Sequence, residues 1–182
     1  MLQTGIVRRI DELGRVVVPK EMRKTLRIRE GDPLEIFTDK ETLVLRKFSP
    51  LKSIEGTAET VCEGLKELTK KDCLVTDNDS VIFVTGSKNQ ELLGKKISVS
   101  LLNVLNNRKS QILNKNGDNR IIPIVSSEHN DMENQIIAPI ILNGDCFGAV
   151  VMFDNDKYSK FSTCELKTVE LGAIYLSKQF EV

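Results

Sequence analysis

Two short apolar runs, Val16-Val17-Val18 and Leu43-Val44-Leu45, constrain this 182-residue chain more than any other feature. Each lies in a stretch that reads as a β-strand. Successive strand side chains point to opposite faces, so a consecutive run makes both faces of the strand apolar. A lone hairpin can cover only one of them. The segment that holds both runs, residues 1–50, reads as hairpin, short helix, hairpin. Its first arms are residues 4–10 and 15–18 around the turn Asp11-Glu12-Leu13-Gly14, where Gly14 can supply a positive φ. Pro19 suits the first turn of a helix over residues 19–26, since the N–H it lacks is unpaired there anyway. After the turn signal Glu30-Gly31-Asp32-Pro33, residues 34–37 and 42–47 form the second pair. A unit of roughly 50 residues buries too little surface to be secure alone. Both strand runs make sense if the hairpins of two chains interleave, and an obligate homodimer is the expectation.

The same segment is basic on a chain whose formal net charge is zero. Residues 1–29 carry eight Lys and Arg against Asp11, Glu12 and Glu21, a balance of +5, which leaves −5 for the remainder. Such a basic end suits an anionic partner. Arg8 and Arg15 fall on opposite arms of the first hairpin, and Arg23 and Lys24 on the helix that follows. Phosphates demand cations, and the planar fork of Arg can also read guanine O6 and N7 in the major groove. A dimer displays two such clusters, which fits the two-fold character of duplex half-sites.

Residues 51–55 read as a linker and residues 56–182 as a second, folded domain. Apolar residues of 57–70 recur at helical spacing: Ala58, Val61, Cys62, Leu65 and Leu68. Strands are expected at 73–76, 81–85, 121–125, 135–142 and 147–153, with a helix over 99–113 between the second and third. Asn143-Gly144-Asp145 reads as a hairpin turn. Ser162 and Glu165 have the spacing of a capping box that opens a last helix. The order predicts an α+β domain on an antiparallel sheet.

Several chemistries find no support. No apolar run approaches the ~20 residues that span a bilayer, and the start has no charged stretch leading into an apolar one. A chain in the reducing cytoplasm is therefore expected, with Cys62, Cys73, Cys146 and Cys164 as core residues or free thiols. The cysteines form no C-x-x-C pair and the single His129 is remote from them, so no metal site is predicted. Asp77-Asn78-Asp79 begins like a calcium loop, but Ile82 occupies the position that requires Gly. His129, beside Glu128 and Asp131, has no nucleophile assigned to it. No phosphate-binding G-x-x-x-x-G-K-[ST] loop occurs. Neither an enzyme nor a cofactor is expected.

The run from Thr4 to Pro19, TGIVRRIDELGRVVVP, resembles the AbrB-type swapped-hairpin DNA-binding domain of bacterial transition-state regulators. Residues 20–26, KEMRKTL, and 31–36, GDPLEI, continue the resemblance. It implies an interleaved homodimer on double-stranded DNA, with contacts at Arg8, Arg15 and Arg23, and further ones at Arg9, Lys20 and Lys24. At Lys24 many relatives have Arg, so the phosphate attraction is kept and the bidentate fork is not. The later domain resembles the GAF family in its order of elements, in the strand Ala138-Pro139-Ile140-Ile141 and in Gly148-Ala149-Val150-Val151. Regulators of spore-forming bacteria join these two domains. The resemblance implies control of sporulation genes, a possible small-molecule effector, and terminal helices that associate dimers into a tetramer. Swapped-hairpin domains also occur in antitoxins, which is the alternative function.

Overall fold

The computed structural model describes residues 5–28, 30–31, 33–86, 89–115, 119–126 and 132–180. Thr4, Arg29, Asp32 and the Glu128–His129–Asp131 group lie outside the described residues. The chain divides into two units, Met1–Phe48 and Ser49–Val182.

In the first unit, helix α1 (Lys20–Thr25) is followed by strands β1 (Leu34–Asp39) and β2 (Thr42–Lys47), an antiparallel pair with Ile36 opposite Leu45 and Phe37 opposite Val44. These pairs put apolar side chains on both faces of the ribbon, as the consecutive run requires. Ile36, Phe37, Leu43, Val44 and Leu45 are all exposed. The first hairpin differs from expectation. Residues 5–10 and 15–18 carry no β-ladder in the single chain, although the turn between them is closed. Val7 is 89% exposed and Val17 74%. A strand needs a neighbour for its N–H and C=O groups and an apolar cover for its side chains, and among the described residues no strand pairs with either arm.

The second unit begins earlier than expected. Residues 51–55, read as a linker, are folded into it: α2 (Pro50–Ser53) runs into α3 (Glu55–Thr69), and Leu51 is fully buried in the core. Then follow β3 (Asp72–Asp77), β4 (Val81–Val84), α4 (Asn89–Leu92), α5 (Val99–Asn107), β5 (Gln111–Asn114), β6 (Asn134–Leu142), β7 (Asp145–Asp154) and α6 (Thr163–Lys178). The five strands form one antiparallel sheet in the order β4-β3-β7-β6-β5. Alternation along β7 sends Ala149, Val151 and Phe153 to one face and Val150 and Met152 to the other. Helices α3 and α6 cover the second face through Ala58, Cys62, Leu65, Val169, Ala173 and Leu176. Leu101, Val104 and Leu105 of α5 cover the first. Leu68, counted in the apolar stripe of α3, is instead exposed.

Two sequence expectations fail here for identifiable reasons. The helix read over 99–113 stops at Asn107. Arg108 adopts the left-handed conformation at φ 55°, and Ile112 and Leu113 then enter β5 opposite Ile136 and Gln135. A short apolar run has no period long enough to tell strand from helix. The strand read over 121–125 is not one of the five. Beyond a single bridge of Val125 to Ile97, its backbone is held by two residues, Gln135 and Ser98: Gln135 Nε2 donates to Ile122 O at 2.9 Å while Gln135 Oε1 accepts from Ile122 N at 3.0 Å. Ser98 Oγ donates to Pro123 O, and Ser98 N to Ile124 O at 2.8 Å. The fully buried Gln135 thus does the pairing a neighbouring strand would do. Gln135→Leu removes both bonds and is expected to destabilise this unit by about 2 kcal/mol, read from urea unfolding. An unchanged midpoint would mean that the amide does not hold the segment.

The turn and the capping box follow the sequence. Asn143 and Gly144 both have positive φ and join β6 to β7 in two residues. Ser162 Oγ accepts from Cys164 N at 3.1 Å, and the Glu165 carboxylate accepts from Ser162 N at 2.9 Å. The Ser162 hydroxyl, which donates to the same carboxylate, and then the Ser162 N–H hold the Glu165 carboxyl below its ordinary range. Among the described residues, no helix is long and apolar enough to cross a membrane.

Candidate nucleic-acid interface

The turn at residues 11–15 is built around one carboxylate. Gly14, at φ 75°, lets the chain reverse, and its N–H donates to Asp11 O at 2.9 Å. Asp11 N donates to Arg15 O at 3.1 Å, closing the base of the turn. Across that pair the return bond goes to the side chain: Arg15 N donates to Asp11 Oδ1 at 2.8 Å, as does Leu13 N at 3.0 Å. Asp side chains favour such turns because they reach backbone N–H groups two to four residues on. Asp11 Oδ2 then accepts from Arg15 Nε at 2.7 Å. The backbone bond from Arg15, followed by its side-chain bond, holds the Asp11 carboxyl below its usual range. The Arg15 side chain remains 71% exposed.

Helix α1 follows directly, with Pro19 just ahead of its first residue rather than inside it. Lys20, Arg23 and Lys24 are spaced three and four apart and share one side of the helix. The helix ends in a tight reversal. Leu26 caps it, Arg27 takes a left-handed φ of 53°, and Arg27 N donates to Lys24 O at 3.2 Å while Ile28 N donates to Arg23 O at 2.8 Å. This is the Schellman arrangement, with an arginine where glycine is usual. The half-buried Arg27 is also held through its carbonyl, which accepts from Lys47 Nζ at 3.3 Å.

All six basic residues singled out from the sequence (Arg8, Arg9, Arg15, Lys20, Arg23 and Lys24) are exposed. The turn places Arg15 at the tip and α1 gathers Lys20, Arg23 and Lys24. Arg8 and Arg9 stand on an arm that one chain leaves unpaired. Sequence reasoning placed Asp11 at the start of the turn but gave its side chain no role beyond a subtraction from the positive charge. The signal that could have found it is an Asp four residues before an Arg across a turn with Gly in the third intervening place.

Elsewhere the chemistry is quiet. Cys62, Cys73, Cys146 and Cys164 are free thiols. Burial pushes the Cys73 thiol up to about 12 and raises Cys62 and Cys146 as well, which suppresses the reactive thiolate. Among the described residues, no group of three or more His, Cys, Asp or Glu is placed to hold a metal ion.

Known proteins resemble the chain in both halves. The family described as Stage V sporulation protein T C-terminal, transcription factor, matches residues 53–181. That described as Antidote-toxin recognition MazE, bacterial antitoxin, matches residues 7–53. Stage V sporulation protein T of Bacillus subtilis is 41% identical over 182 residues, 100% of this chain and 99% of the relative. Transition state regulatory protein AbrB of the same organism is 50% identical over 66 residues, 36% of this chain and 69% of AbrB. Among solved structures, the GAF domain of a Coxiella burnetii phosphoenolpyruvate-protein phosphotransferase superposes with a TM-score of 0.56 at 19% identity, covering 70% of this chain and 82% of that one. A type II free methionine-R-sulfoxide reductase from Thermoplasma acidophilum gives 0.55 at 13%, covering 70% and 93%. At such identities the likeness is one of fold, and the second unit has the GAF fold.

Proposed function

Since the chain belongs to the stage V sporulation protein T family, we propose that it is a transcription regulator of sporulation genes, acting inside the cell as a homodimer on double-stranded DNA. The observation that carries this reading is the first unit itself. It exposes a turn-tip Arg15 and a basic side of α1 on the same 48-residue unit that leaves both faces of β1–β2 uncovered. Arg8, Arg9, Arg15, Lys20, Arg23 and Lys24 form the DNA surface in this proposal. Phosphate attraction supplies most of the affinity, and the arginines part of the selectivity. Residues 1–50 are the DNA-binding part, and the GAF-fold part senses or oligomerises, without enzymatic activity. Leu171 at 66% exposed, with Ile174 and Tyr175 beside it, gives α6 an apolar outer side that suits a dimer of dimers. A small molecule at the GAF-fold unit is the proposed modulator.

Fluorescence anisotropy of the full chain on promoter duplex over a salt series tests this. Tight binding that weakens steeply with salt supports it, and no binding even at low salt overturns it. The dimer has its own test. If a second chain covers the hairpins, the melting temperature of the first unit rises with concentration, since each tenfold step adds about 1.4 kcal/mol per dimer. Circular dichroism melts that superimpose across a hundredfold dilution would exclude it. The match to the MazE antitoxin family over residues 7–53 favours one second reading, an antidote that captures a toxin. It predicts a stable complex with a co-encoded partner, visible on co-purification.

A further inference from the structure

The candidate interface contains an acid where a phosphate-binding surface gains nothing from one. Asp11 lies at the hairpin tip and brings negative charge to a side presented to DNA. Its geometry shows a different use. One carboxylate holds Arg15 twice, by the backbone N–H at 2.8 Å and by the side-chain Nε at 2.7 Å. The guanidinium is therefore oriented relative to the turn that carries it. Arginine has five N–H donors in one plane. With Nε–H engaged, the four on the two terminal nitrogens remain, and that terminal pair matches guanine O6 and N7. An unheld arginine surrenders rotamer freedom on docking, whereas one already held surrenders less.

We propose that Asp11 is a positioning residue, which fixes Arg15 as a base-reading fork instead of a mobile phosphate contact and thereby sets sequence selectivity. This rests on the DNA-binding reading above. Two consequences of opposite sign follow. The carboxylate repels phosphate, so it weakens binding to every duplex alike. It also preorganises the fork, so it strengthens binding where a guanine is correctly placed. A residue that only caps the turn still relieves the repulsion when its charge is removed, but it leaves the ratio of selected to scrambled affinity unchanged as long as its Oδ1 acceptor is kept, which is the change made by Asp11→Asn.

The test compares full-length wild type, Asp11→Asn, Arg15→Lys and the double variant by anisotropy. The two probes are a duplex that the wild type selects from a randomised pool and a scrambled duplex of the same composition. Asp11→Asn is expected to bind the scrambled duplex about threefold more tightly, as one repulsive charge per chain is lost. Its ratio of selected to scrambled affinity falls about tenfold. Arg15→Lys lowers that ratio at least as far, and the double variant falls no further, because Asp11 acts through Arg15. A ratio unchanged in Asp11→Asn, or losses that multiply in the double variant, overturns the proposal. So does a wild type that binds DNA but selects nothing from the pool. Failure of wild type to bind any duplex removes the DNA reading itself instead. Should Asp11→Asn not fold, nuclear magnetic resonance of the wild type decides. A slowly exchanging Arg15 Nε–H supports the contact, and a rapidly exchanging one in the folded protein overturns it.

Discussion

Arg15→Ala is expected to weaken binding to a selected duplex by at least about 30-fold, with the fold retained. A bidentate arginine–guanine contact discriminates by roughly 1–3 kcal/mol, and a dimer presents the residue twice. The side chain is 71% exposed and its described partner is Asp11, so truncation removes no core packing. Arg23→Ala is expected to behave similarly. Lys20→Ala differs in kind: a point charge on a flexible stem binds phosphate in any sequence. Its loss is expected to lower affinity for selected and scrambled duplex alike and to flatten the salt dependence by about two for the two copies. Anisotropy titrations on both duplexes at several salt concentrations separate these outcomes. An Arg15→Ala protein that keeps its circular dichroism spectrum and binds like wild type would remove the turn tip from the interface.

The largest effect on stability is expected at a glycine of the second unit. Gly148 lies in β7, opposite Asp77 on one side and Ile140 on the other. The β6–β7 register slips by one just beside it, since Ile140 pairs with Gly148 but Ile141 with Cys146. At this bulge β7 runs close to β3, and a Cβ on Gly148 would come within 1.9 Å of Thr76 O and 2.8 Å of Leu51 Cδ1. Backbone cannot withdraw as a flexible side chain can. Gly148→Ala is therefore expected to destabilise the second unit by about 3 kcal/mol or more, a fall in melting temperature of roughly 10 °C. Gly144→Ala is the control. Its φ of 88° strains any L side chain, but a Cβ there meets open space, so a loss of about 1 kcal/mol is expected. Equal losses at the two glycines would mean that the sheet relaxes around Gly148.

The basic, exposed character of the candidate interface was legible from residue type, and the contacts inside its turn were not. Arg8, Arg9, Arg15, Lys20, Arg23 and Lys24 stand out in the sequence because positive charge is clustered on an otherwise neutral chain, and all six are exposed. Asp11 did not stand out, since an acid counted by charge alone only weakens a basic patch. Its place in the turn comes from three hydrogen bonds that need the turn closed around it.

Local patterns whose cause is local were readable along the chain. The Asn143-Gly144 turn, the Ser162–Glu165 capping box and the strand pair read at 34–37 and 42–47 rest on φ preference, side-chain reach and two-residue alternation, all of which act between near neighbours. The two-sided apolar runs likewise established that the first unit lacks a cover of its own. Tertiary structure alone decided the rest. Ile112 and Leu113 became a strand because the edge of β6 was free to pair with them, and residues 121–125 stayed outside the ladder because Gln135 and Ser98 took their backbone groups. Leu51 left the supposed linker because the sheet offered its side chain a buried seat beside Gly148. In each case the deciding partner lies more than ten residues away, and short-range periodicity carries no information about a partner at that distance.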